Sequence, residues 1–137
     1  MDIHSNLQNL NWLAILVAAV SAFALGGLWY SALFARAWQR ETGITAESAS
    51  RKNMGRTFGL SFVLAFIAAF FLALFIGKDA GALFGAHAGL AAGFGWVFTF
   101  LGIIYLFESK SLRLFLINAG YSVVSLTLMG LIIGAWQ

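Results

Sequence analysis

Asn118, Tyr121, Ser122 and Ser125 follow one another in steps of three and four along an otherwise apolar stretch. At 3.6 residues per turn, that spacing puts one amide and three hydroxyls on a single helix face. Such a stripe cannot face hydrocarbon without leaving its polar atoms unpaired. It has two uses. It can hydrogen-bond to neighbouring helices, at about 1 kcal/mol per bond. Or, with Trp29, Tyr30, Trp96 and Thr99, it can wall a polar pocket for a small ligand.

Glu108, Lys110 and Arg113 crowd one short polar connection. They read as a charged hairpin cap, with Glu108 paired to Arg113 or to Arg36. The alternative is a gate or an acid–base carboxylate, but a carboxylate beside arginines is held ionised, which suits an ion pair better than proton transfer. Asp2, His4, Asp79 and His87 are the remaining candidate metal ligands. Imidazole and carboxylate can bind zinc, yet no H-x-x-x-H spacing is present and three of the four sit on a terminus or loop, so His87 reads as an interfacial polar residue. No phosphate-binding, nucleophile-elbow or metalloprotease motif occurs. No residue set calls for a metal or a cofactor.

The elements that must position these groups follow from composition. Of 137 residues, 61% are hydrophobic and 9% charged, against about 45–50% and about 25% in soluble domains. One domain of this size cannot cover itself with so little polar surface. The numbers exclude a soluble enzyme and a disordered regulator. The net charge of +3 is carried by so few groups that it reads as a topology signal rather than as a nucleic-acid footprint. There are no cysteines, which removes disulfides and thiolate sites, and no prolines, which favours unbroken helices.

Four uncharged windows are long enough to span a bilayer as helices: Trp12 to about Ala35, Thr57 to Gly77, about Ala82 to Phe107, and Leu114 to Trp136. Ala22-Phe23-Ala24 resembles a signal-peptide cleavage site, but no Lys or Arg precedes it and the apolar run continues. The first window is therefore expected to be a span. The predicted fold is all-α, an integral-membrane antiparallel bundle of four transmembrane helices. Arg36, Arg40, Arg51, Lys52, Arg56, Lys110 and Arg113 fall in the first and third connections, and only Lys78 in the second. Positive loops stay in the cytoplasm, which predicts both termini outside and argues against dual insertion. Trp12 and Trp136 then mark the outer boundary, and Trp29, Tyr30 and Tyr105 the inner one. Trp96 and Tyr121 fall near mid-span and are expected inside. Gly43 reads as a helix C-cap and Thr45 as the N-cap of a following turn with Glu47 in it. Helix one would then reach Thr42, about 45 Å long at 1.5 Å per residue against a hydrocarbon core of about 30 Å. Helices one and two are thus expected to extend into the cytoplasm as a hairpin.

Small residues recur at four-residue intervals: Gly77, Gly81, Gly85, Gly89 and Gly93, then Ala65, Ala69 and Ala73, Ala14, Ala18, Ala22 and Gly26, and Gly130 and Gly134. In lipid such stripes let backbones approach. They serve packing inside the bundle or a homo-oligomer seam. A homodimer is expected, with Phe94, Phe98 and Phe100 against lipid or the second subunit.

Two stretches carry a resemblance. Gly26, Trp29, Tyr30, Ser31, Phe34 and Trp38 lie in one. Phe107, Glu108, Leu114, Phe115, Ile117, Asn118, Gly120 and Tyr121 lie in the other. Together they resemble the bacterial membrane family called domain of unknown function 1761, over nearly the whole chain. Ala32 stands where proline is usual in that family and Ala35 where glycine is usual, so a kink expected in relatives is not expected here. The resemblance implies a small four-helix membrane protein and no established activity. The leading expectation is a non-enzymatic protein of the bacterial inner membrane acting through packing and through lipid or partner contact, with Arg36, Arg40, Arg51, Lys52 and Arg56 drawing anionic lipid headgroups. The alternatives are a small carrier or channel for an apolar or cationic solute and, least favoured, a lipid-modifying enzyme.

Overall fold

The computed structural model describes residues 2–45, 47–48 and 53–137. These residues are all-helical and contain four apolar spans: Trp12–Leu33, Met54–Ile76, Ala82–Phe107 and Leu112–Trp136. A short α1 (Ile3–Gln8) precedes them, its N-terminus capped by Asp2, whose carboxylate accepts from the backbone N–H of His4 and Ser5. The first span is α2 (Trp12–Gly27) continued by a π-helical turn, Leu28–Leu33. After a break at Phe34 (φ −126°, ψ 16°), α3 (Ala35–Thr42) carries the chain on to Gly43, a left-handed C-cap at φ 73°. The second span is α4 (Met54–Ile76), capped by Asn53. The third is α5 (Ala82–Ala92), a second π turn (Gly93–Phe98) and α6 (Thr99–Phe107). The fourth is α7 (Leu112–Trp136), capped by Ser111.

Two expectations are corrected here. The absence of proline does not give unbroken helices, because the first and third spans each contain a six-residue π turn. Nor is the first span straight for lack of the family's proline and glycine, since it breaks at Phe34 with Ala32 and Ala35 in place. The π turn supplies the irregularity. It changes the side-chain register, and Ser31 Oγ donates back to the Gly27 carbonyl within it. Thr45 does cap the next turn, its Oγ1 accepting from the Ser48 N–H at 3.1 Å. Arg51 and Lys52 lie outside the described residues.

The bundle is centred on α5 and α7, whose backbones touch. A Cβ added at Gly85 or Gly89 would fall onto the carbonyl of Gly130 or Leu126, and one at Gly93 would lie 2.9 Å from Val123 Cα. Gly130 and Gly134 face the same seam from the other side. Gly81 has left the helix: it caps α5 at φ 90°, and its carbonyl lies against Gly134. Beside this seam Ile15, Ala18, Ala22, Ala69, Leu72, Ala73, Met129 and Ile133 pack α2, α4 and α7 together. In lipid these contacts gain through dispersion and close approach rather than through release of water.

The two ends differ. At the end carrying the termini, side-chain amides clasp the spans. Asn6 Nδ2 donates to the Leu74 carbonyl (2.8 Å), Asn11 Nδ2 to that of Trp136 (3.0 Å) and Gln137 Nε2 to that of Ala73 (2.8 Å). At the other end the first part of α4 is exposed on every residue from Gly55 to Ser61, so the bundle is tight at one end and open at the other. Of the expected aromatic belt, Trp29, Tyr30 and Tyr105 turn into the bundle. Trp12 lies at the clasped end, stacked on Phe66 and Phe70, and Trp136 ends the fourth span there.

Candidate functional site

The polar stripe of α7 meets the first π turn. Tyr30 Oη donates to Asn118 Oδ1 at 2.8 Å, and Asn118 Nδ2 donates to Tyr105 Oη at 2.7 Å. One amide therefore joins the first, third and fourth spans. Trp29 Nε1 donates to the Ile117 carbonyl (2.9 Å), Tyr121 Oη to that of Ala22 (2.8 Å) and Ser122 Oγ to that of Asn118 (3.1 Å). Ser125 Oγ donates to Met129 Sδ at 3.8 Å. Among the described residues no buried side-chain nitrogen or oxygen lacks a partner. Rings close around this network: Tyr30 lies 5.3 Å from Tyr121 and 5.9 Å from Trp38, and Trp29 lies 4.9 Å from Phe34. Small residues admit them. A Cβ on Gly26 would sit 3.3 Å from Tyr121 Oη, and one on Gly120 3.2 Å from Trp29 Cζ2.

Of the predicted pocket residues, Trp29, Tyr30, Asn118, Tyr121, Ser122 and Ser125 come together. Trp96 and Thr99 do not. Trp96 is 62% exposed on the outer face of the third span, which corrects the expectation that it packs inside. The second π turn is the reason: it directs Gly93 at α7 and turns Trp96 away. Thr99 spends its hydroxyl on the carbonyls of Gly95 and Trp96, both in its own helix. Phe94 and Phe100 also face outward, whereas Phe98 packs on Phe115 at 4.8 Å. Tyr105, Phe34 and Trp38 were missed as site residues. Tyr105 looked like a boundary ring, and only a known partner could have turned it inward.

Beside the network, a cleft of about 400 Å³ opens between the first span and α4. Its polar lining includes Tyr30, Ser31, Thr57, Ser61 and Tyr121. It continues past Ser61 and Tyr121 toward Ser122 and Ser125. Asn118 does not line it, because its amide is held between two tyrosines.

The charges arrange themselves differently from the expectation. Glu108 pairs with Lys110 (Oε2 to Nζ 3.0 Å), not with Arg113 or Arg36. Ser109, at φ 54°, folds the turn so that the side chains two residues apart meet. The carboxylate raises the Lys110 pKa above the ordinary lysine value, and the ammonium also lies 4.9 Å from the Tyr105 ring centroid. Ser111 Oγ donates to Glu41, tying α3 to the start of α7. Arg36 and Arg40 line a groove along α3 with Ser31, apart from the Glu108–Lys110 pair. Arg113 lines a separate groove. The candidate metal ligands stay dispersed. Asp2 caps α1, His4 Nε2 lies 3.5 Å from Gln8, the Asp79 N–H donates to the Gln137 carbonyl, and His87 Nδ1 donates to that of Leu83. Among the described residues no three His, Asp or Glu side chains converge.

The comparisons with known proteins add one match. A family model described as "Protein of unknown function (DUF1761)" covers residues 13–134. No curated protein and no solved structure matches the chain.

Proposed function

The chain belongs to the DUF1761 family of proteins of unknown function, and from that premise we propose that it is a non-catalytic multi-pass protein of the bacterial inner membrane, recruiting anionic lipid at its arginine-bearing end. The termini lie outside and the arginine-bearing connections inside, as the distribution of Lys and Arg requires. The observation that carries this reading is the division of labour among polar groups. Trp29, Tyr30, Asn118 and Tyr121 spend their hydrogen bonds on other spans and the hydroxyls of Thr99, Ser122 and Thr127 spend theirs on their own helices, while Arg36, Arg40 and Arg56 stand exposed and without an ion pair among the described residues at the open end. Each basic residue near an anionic surface contributes about 1 kcal/mol.

Tryptophan quenching tests it. In vesicles containing brominated phosphatidylglycerol, the wild type should be quenched more than with brominated phosphatidylcholine at the same density. The combined Arg36→Gln, Arg40→Gln and Arg56→Gln variant should lose most of that difference. Equal quenching of the wild type by the two lipids would overturn the proposal.

A carrier for a small amphiphile is the second reading. The cleft at Tyr30, Ser61 and Tyr121 favours it, and it requires Ser61 to meet water during the cycle.

A further inference from the structure

The break at Phe34 swings α3 away from the first span and leaves a groove of about 790 Å³ between it and the first half of α7. Trp29, Phe34, Leu116 and Gly120 form its apolar wall, and Arg113 stands in it at the arginine-bearing end of the bundle. The wall carries little polarity of its own, since the indole N–H of Trp29 is spent on the Ile117 carbonyl. Leu112 and Leu116, 70% and 52% exposed, keep the groove open along its outer side.

Among the described residues, Arg113 is the one charged residue in the groove's lining. Lys110 holds Glu108, and Glu41 accepts from Ser111 and does not line the groove. Arg113 has no ion pair among the described residues. A cation without an ion pair, standing at the headgroup end of an apolar channel, is complementary to an amphiphile with an anionic head. We propose that this groove binds one anionic phospholipid, its phosphate on the Arg113 guanidinium and one acyl chain laid along Leu116, Trp29 and Gly120. The inference rests on the lipid-recruiting reading above and names a single site for it.

The division of energy follows from the solvent. Bulk lipid is as apolar as the groove, so the chain gains only shape contact there. Selectivity must come from the head, where a guanidinium offers paired donors to phosphate oxygens. One such cation gives about a fivefold preference for an anionic over a zwitterionic head. Arg36 and Arg40 face a smaller groove with a largely polar lining, suited to headgroup contact rather than to holding a chain.

Native mass spectrometry of the detergent-purified protein tests the site, with phosphatidylglycerol and phosphatidylcholine of identical chains. The wild type should retain the anionic lipid about fivefold more, and Arg113→Gln should bring the ratio close to one. Arg113→Lys should recover part of it. Leu116→Trp, which fills the groove from an exposed position, should weaken retention of both lipids. Glycerol phosphate should not displace bound lipid; displacement would make the free phosphate ester the ligand and overturn the lipid assignment. If Arg113→Gln keeps the wild-type ratio while Arg36→Gln with Arg40→Gln abolishes it, the groove is wrong and the broader reading stands. If no arginine change alters the ratio, both fall.

Discussion

Gly85→Leu should leave almost no folded protein recoverable in detergent. The Gly85 Cα lies against the backbone of α7, and any Cβ there falls onto the Gly130 carbonyl oxygen, which no rotamer change can move aside. The seam must open, and Gly89 and Gly93 then lose their contacts as well. Overpacking in cores costs about 1–3 kcal/mol and more where the backbone has to shift; here two backbones shift, so the upper end or beyond applies. Removing a helical glycine returns about 1 kcal/mol of helix propensity, too little to offset the clash. Gly95 is the matched control. It lies in the same span, and a Cβ there meets nothing within 4 Å, so Gly95→Leu should be at least as stable as the wild type, by up to about 1 kcal/mol of helix propensity. Denaturant titration followed by tryptophan fluorescence distinguishes the two. Equal stability of the variants would show that the third and fourth spans do not pack as described.

Asn118→Leu should cost about 1–3 kcal/mol. The change keeps the number and branching of the side-chain heavy atoms and removes two hydrogen bonds at once, leaving the Tyr30 and Tyr105 hydroxyls without their amide partner. Measured side-chain hydrogen bonds inside membranes average about 0.6 kcal/mol and reach about 1.7, and two of them give the stated range. Tyr30→Phe should lose roughly half as much. In the doubly substituted protein the Tyr30 loss should largely vanish, because its partner is already gone. Stability unchanged in Asn118→Leu, with loss of a bound solute instead, would make Asn118 a ligand contact and not a strut between spans.

The spans were legible because their signal is length and polarity, which one chain carries by itself. The α7 stripe was legible for the same reason: three- and four-residue steps fix a face whatever packs on it. Trp96 was misplaced because its depth near mid-span set the expectation, and depth does not say which face of the helix a ring takes; the π turn from Gly93 to Phe98 resets that face. No proline or charge announces that turn. The partner of Glu108 was misassigned because Ser109 adopts a left-handed conformation that serine seldom takes, and the resulting turn places Lys110 nearest. The amide clasp of Asn6, Asn11 and Gln137 depends on residues more than 60 positions apart, beyond the reach of any local pattern.

In the proposed topology the chain crosses the bilayer four times, with its arginine-bearing bends on the inner side. The chain has no native cysteine, so single cysteines report cleanly. His4→Cys and Lys78→Cys should react with a membrane-impermeant maleimide in intact cells. Gly43→Cys and Ser109→Cys should react only after the cells are opened, and Ser61→Cys in neither case. Labelling of Gly43→Cys or Ser109→Cys from outside, or of His4→Cys only from within, would contradict the topology. Labelling of Ser61→Cys would favour the carrier reading of the cleft.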